Sequence, residues 1–110
     1  MDDFTIYQQR AARTLSSKRM SKNNLAILGL GIAGEAGEVV ELIKKHVGHG
    51  HELDQNALTK ELGDLLWYLT AICTVTGETL RGVAEHNICK LRDRYPNGFS
   101  NKASISRRRE

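Results

Sequence analysis

A chain of 110 residues with 40% hydrophobic and 26% charged side chains has the make-up of one globular domain and is too apolar for a disordered segment. The net charge of +3 sits in the last twelve residues, where Lys102, Arg107, Arg108 and Arg109 face only Glu110. The neutral remainder is not a basic body built to grip nucleic acid. The one proline, Pro96, leaves residues 1–95 without an obligatory helix breaker, which argues against an all-β fold with many turns.

The apolar spacing predicts four helices in chain order. The first spans about residues 3–20, with Phe4, Tyr7, Ala11 and Leu15 on one stripe. A polar break at Ser21–Asn24 supplies N-cap residues for a second helix over about 25–47, striped by Leu28, Ile32, Ala36, Val39, Ile43 and Val47. Lys44, Lys45 and His46 suit the negative end of that helix. The loop Gly48–His51 brings His46, His49 and His51 close in sequence, and reads as a polar loop rather than a transition-metal site. Asp54 caps a third helix that reaches Thr76, with Leu58, Leu62, Leu65, Leu69 and Ile72 inward and Gly77 as its stop. The fourth runs from about Thr79 to Arg94, with Leu80, Val83, Ala84, Ile88 and Leu91 inward, until Pro96-Asn97-Gly98 ends it.

Short connections between four helices predict an all-α, four-helix-bundle-like domain over residues 1–98, followed by a basic C-terminal extension over 99–110. Cys73 and Cys89 are too few for a disulfide scaffold and lack C-x-x-C spacing, so both read as reduced core residues. Neither a leader pattern in MDDFTIYQQR nor a run approaching the ~20 apolar residues of a membrane span is present, so the expected location is cytoplasmic. Leu58, Leu62, Leu65, Leu66, Trp67, Leu69, Ile72 and Cys73 cover more than one packed face of the third helix needs, which predicts a homodimer or tetramer. Trp67 and Tyr68 read as core or interface residues.

Gly29-Leu30-Gly31-Ile32-Ala33-Gly34 matches the G-x-G-x-x-G of a dinucleotide-binding turn. The helical apolar spacing continues through it, and nothing downstream alternates strand with helix. Small residues where two helices approach closely are the better reading.

The acidic residues are more telling. Glu35, Glu38 and Glu41 are the only charges between Lys22 and Lys44, and Asp64 is the only one between Glu61 and Glu78. Residues three apart share a helical face, so Glu35/Glu38 and Glu61/Asp64 are carboxylate pairs. Solvated helix faces also carry such spacings. If the second and third helices pack antiparallel, however, four carboxylates converge, and hard divalent cations take oxygen ligands of this kind. Asn87, Lys90 and Arg94 place an amide and two cations on one face of the fourth helix, which suits phosphate and sugar recognition as well as a solvated face.

Gly34-Glu35-Ala36-Gly37-Glu38-Val39-Val40-Glu41, then Glu61-Leu62-Gly63-Asp64-Leu65-Leu66-Trp67-Tyr68, then Asn87-x-x-Lys90-Leu91-x-x-Arg94-Tyr95-Pro96 resembles the MazG-like nucleotide pyrophosphohydrolases of the all-α NTP pyrophosphatase superfamily. The resemblance covers about residues 25–100, with 22 residues between the two acidic motifs. It implies Mg²⁺-dependent cleavage of a nucleoside triphosphate between the α and β phosphates, in a homodimer or tetramer with active sites near subunit contacts. Glu35, Glu38, Glu61 and Asp64 would hold the metal, expected as two Mg²⁺ per site with Mn²⁺ able to substitute. Glu35 or Glu38 would activate water, and Asn87, Lys90, Arg94 and Tyr95 would contact substrate. Phosphoribosyl-ATP or one particular deoxynucleotide is an alternative substrate. An alternative of another class is a non-enzymatic helical module that binds nucleic acid through the basic tail.

Overall fold

The computed structural model describes residues 1–16 and 24–106. Five helices follow one another: α1 (Asp3–Ala12), α2 (Leu25–His49), α3 (Gln55–Thr76), α4 (Leu80–Arg94) and α5 (Asn101–Ser106). No β-strand occurs among the described residues, in line with the all-α expectation.

The helix ends follow from local chemistry. Asp2 accepts from the Thr5 amide at 3.0 Å and caps α1, and Asp54 does the same for α3 through the Ala57 amide at 3.0 Å. Thr79 Oγ1 accepts from the Gly82 amide at 3.0 Å and caps α4. Gly50 (φ 72°) and Gly77 (φ 81°) turn left-handed and stop α2 and α3, a conformation that glycine adopts without a Cβ penalty. Helix α2 runs two residues further than the spacing predicted, to His49.

Helix α1 ends earlier than expected. After Ala12 the amides of Thr14 and Leu15 bond to the carbonyls three residues back, at 3.0 and 3.1 Å, which tightens the last turn. The Thr14 hydroxyl donates to Ala11 O at 2.7 Å and accepts from the Trp67 indole Nε1 at 2.8 Å, tying this turn to α3. The rest of the predicted first helix, residues 17–20, lies outside the described residues, as do Arg107–Arg109 of the basic extension. Within that extension, α5 accounts for Asn101–Ser106.

Helices α2 and α3 form an antiparallel pair, α1 packs across α3, and α4 packs against α1. Leu15, Leu28 and Ala71 make the buried centre, with Trp67, Tyr68, Ile72 and Val75 against it. The Gln8 amide ties α1 to the α3–α4 corner. Its Nε2 donates to Thr74 Oγ1 (3.2 Å) and Glu78 O (3.1 Å), and its Oε1 accepts from the Leu80 amide (2.8 Å).

Several expected core residues are not buried within the single chain. Cys73 is buried, but Cys89 is exposed. Val47 (78%) stands largely in solvent, and Ile43 (47%) and Ile88 (48%) are about half exposed. Ile88 and Cys89 line the open groove between α4 and the start of α1, which leaves them exposed. The accessible surface is 8494 Å², against roughly 6,100 Å² for a compact monomer of 12.3 kDa. The radius of gyration of 16.9 Å likewise exceeds the roughly 13 Å of a compact chain of this length.

Candidate metal centre

The G-x-G-x-x-G segment lies inside α2, so it forms no phosphate loop. The close-approach reading holds at Gly31, where an added Cβ would run into the Tyr68 ring, whereas Gly29 and Gly34 face open space. Gly31 and Tyr68 thus form one rung between α2 and α3.

The next rung is acidic. Glu35 lies one turn beyond Gly31 on α2, and Asp64 and Glu61 lie one and two turns before Tyr68 on α3, so all three face the helix pair. One carboxylate oxygen from each of Glu35, Glu61 and Asp64 comes within 4.8 Å of the others. The Glu35 Oε2 is shielded from solvent, and no N–H or hydroxyl group of the protein donates to it. Among the described residues no other group of three histidine, cysteine or acidic ligands converges, so His46, His49 and His51 form no such cluster. The His46 ring Nδ1 instead lies 2.8 Å from the His51 carbonyl.

Crowding shows in the Glu35 carboxyl, which is pushed up to about 7. A proton shared with Glu61 is the largest cause, followed by burial and then the negative charges of Glu61, Asp64 and Glu38. Glu38 therefore lies close enough for its charge to be felt, but its exposed carboxylate stays outside the three-residue group. An orphaned, shielded oxygen among three hard donors fits a divalent cation, which would relieve the repulsion that a proton otherwise relieves.

The substrate-contact residues expected on α4 are spread more widely. Asn87 is exposed and lines an open groove of about 1090 Å³ between α4 and the start of α1, with Phe4, Arg81 and Arg92. Lys90 and Arg94 are half-buried on α4. The Tyr95 ring packs on Phe99 with centroids 5.2 Å apart, which ties the end of α4 to the following segment. Spacing placed Tyr7 on an apolar stripe but gave no sign of its link to the site: its phenol is raised first by burial and then by the charge of Asp64. That coupling runs between α1 and α3, far apart in sequence.

Together these features define an all-helical protein whose central antiparallel pair carries a convergent group of carboxylates. Residues 24–99 match the family described as the MazG nucleotide pyrophosphohydrolase domain, and the chain belongs to that family. It is also 30% identical, over 82 residues, to the Gene 37 protein of Mycobacterium phage L5, a match covering 71% of this chain and 72% of that protein. No solved structure matches. Helix α1, with Tyr7 and Gln8, lies outside the matched residues. No described helix is long and apolar enough to cross a membrane.

Proposed function

We propose that the chain is a Mg²⁺-dependent nucleoside triphosphate pyrophosphohydrolase, cleaving NTP or dNTP between the α and β phosphates to a monophosphate and pyrophosphate. The observation that carries this reading is the convergence of Glu35, Glu61 and Asp64 within 4.8 Å, inside a MazG domain. Glu35, Glu61 and Asp64 would hold the metal, with Glu38, one turn further along α2, as the fourth ligand. When bound, Mg²⁺ supplies a clamp for phosphate oxygens, a more acidic water and a counter-charge for the leaving pyrophosphate.

The chain's own residues do the rest. A carboxylate of Glu35 or Glu38 would accept the proton of the attacking water. Asn87, Lys90 and Arg94 bind phosphate and sugar, and Tyr95 braces the end of α4. Removal of non-standard nucleotides from the pool suits such an activity in the cytoplasm.

The active form is a homodimer or tetramer. An excess of about 2,400 Å² of accessible surface over a compact monomer is what an obligate interface covers. Exposed Leu30, Val40, Val47, Leu62, Ile88 and Phe99 supply its apolar part.

A panel of nucleotides with Mg²⁺, scored separately for pyrophosphate and orthophosphate, tests the reaction. Pyrophosphate release supports α–β cleavage, whereas stepwise orthophosphate release points to a phosphatase and contradicts it. Phosphoribosyl-ATP belongs in the panel as the alternative substrate.

A further inference from the structure

The rung formed by Gly31 and Tyr68 stands one turn from the acidic rung on both helices, on the same faces. The Tyr68 ring occupies the volume where any other residue at position 31 would place its Cβ. The ring also stands edge-on to the neighbouring Trp67 indole, 5.1 Å between centroids, and Trp67 is anchored to Thr14 at 2.8 Å. With Trp67 beside the ring, a Cβ at position 31 pushes on Tyr68 and through it on α3, which widens the gap between α2 and α3. Glycine is the weakest helix former apart from proline, yet Gly31 sits mid-helix in α2.

We propose that Gly31 and Tyr68 are positioning residues for the metal centre: their contact keeps α2 near enough to α3 for Glu35 to share one ion with Glu61 and Asp64. The inference rests on reading those carboxylates as metal ligands. Packed helices shift as rigid units, so a side chain at position 31 moves Glu35 outward with its backbone. Such a shift weakens cation binding before it harms the fold. Alanine at 31 favours the helix locally, so a change acting only through α2 itself would stabilise the protein rather than empty the site.

The test is Mn²⁺ binding, read by the loss of the free-ion paramagnetic resonance signal, in wild type, Gly31→Ala, Tyr68→Phe and the double variant Gly31→Ala/Tyr68→Ala. Gly31→Ala should bind Mn²⁺ at least tenfold more weakly with unchanged circular dichroism. Tyr68→Phe, which keeps the ring, should match wild type, and the double variant should regain most of the lost affinity. Wild-type affinity in Gly31→Ala, or a double variant as weak as the single one, overturns the proposal. Should Gly31→Ala fold too poorly to assay, Tyr68→Trp enlarges the ring against the native glycine, with the same expected loss and the same refuting result. A wild type that binds Mn²⁺ but releases no pyrophosphate from any triphosphate ends the enzymatic reading and leaves this one to the Mn²⁺ data. A hydrolase whose Gly31→Ala variant binds Mn²⁺ normally does the reverse. Failure of the wild type to bind Mn²⁺ overturns the proposal as well.

Discussion

Gln8 Oε1 accepts a 2.8 Å hydrogen bond from the backbone N–H of Leu80, 72 residues further along the chain. Leu80 is the first residue of α4, so this N–H has no partner within its own helix. The same amide's Nε2 satisfies Thr74 Oγ1 and the Glu78 carbonyl, and one side chain thereby fixes the α3–α4 corner against α1.

Replacing Gln8 by Ala should therefore cost about 2 kcal/mol, since net contributions near 1 kcal/mol per hydrogen bond are partly recovered by water at this half-exposed corner. Denaturant unfolding of the variant beside wild type measures the loss. Unchanged stability would show that the clamp is dispensable.

At the acidic rung, Asp64→Asn, Glu61→Gln and Glu35→Gln should each lower the rate by about 100-fold or more, because a bound metal stabilises several kcal/mol of transition-state charge. Glu38→Gln should do the same if its carboxylate joins the other three around the ion. All four variants should keep the fold. Each of the first three also removes a charge from a repelling group, so the melting temperature in EDTA should rise. Wild-type rates in Asp64→Asn and Glu38→Gln would exclude both as required ligands.

The Glu35 carboxyl, raised from 4.5 to about 7, links stability to pH. A carboxyl that holds its proton more tightly folded than unfolded contributes stability that is complete below pH 4.5 and is lost as the pH rises through about 7. Without metal, the melting temperature should thus fall between pH 5 and 7.5, and Glu35→Gln should flatten this decline. Mg²⁺ competes with the proton, so the rise in melting temperature it brings should be larger at pH 7.5 than at pH 5.5. Thermal scans in EDTA and in Mg²⁺ across this range decide the point; a Mg²⁺ effect independent of pH would contradict it.

Light scattering on dilute protein should give a mass of two or four chains. Leu30 and Val47 are 74% and 78% exposed in the single chain, and apolar area in water costs roughly 25 cal/mol per Å². A 12.3 kDa monomer with full activity would refute the assembly.

Helix type, order and most boundaries were legible from the sequence, because they depend on local chemistry: the three- and four-residue apolar spacing, Asp54 as a cap, Gly77 as a stop. The sequence alone makes the G-x-G-x-x-G segment helical, since its apolar period never breaks. The acidic pairs were equally visible, because residues three apart must share a helical face.

Other features depended on which helix lies beside which, and this only the tertiary structure decided. Spacing placed Glu35, Glu38, Glu61 and Asp64 on an equal footing, but the register of α2 against α3 brings three together and leaves Glu38 one turn outside. Of the glycines in the decoy motif, Gly31 alone meets a ring from α3. Cys89 and Ile88 look like core in a one-dimensional pattern, yet they line the open groove between α4 and the start of α1. Gln8 gave no signal, and Tyr7 gave one only as part of an apolar stripe, for their partners lie on other helices, some 60 to 70 residues away. Local periodicity records which face of a helix is apolar or acidic. The packing of one helix on another decides what that face meets.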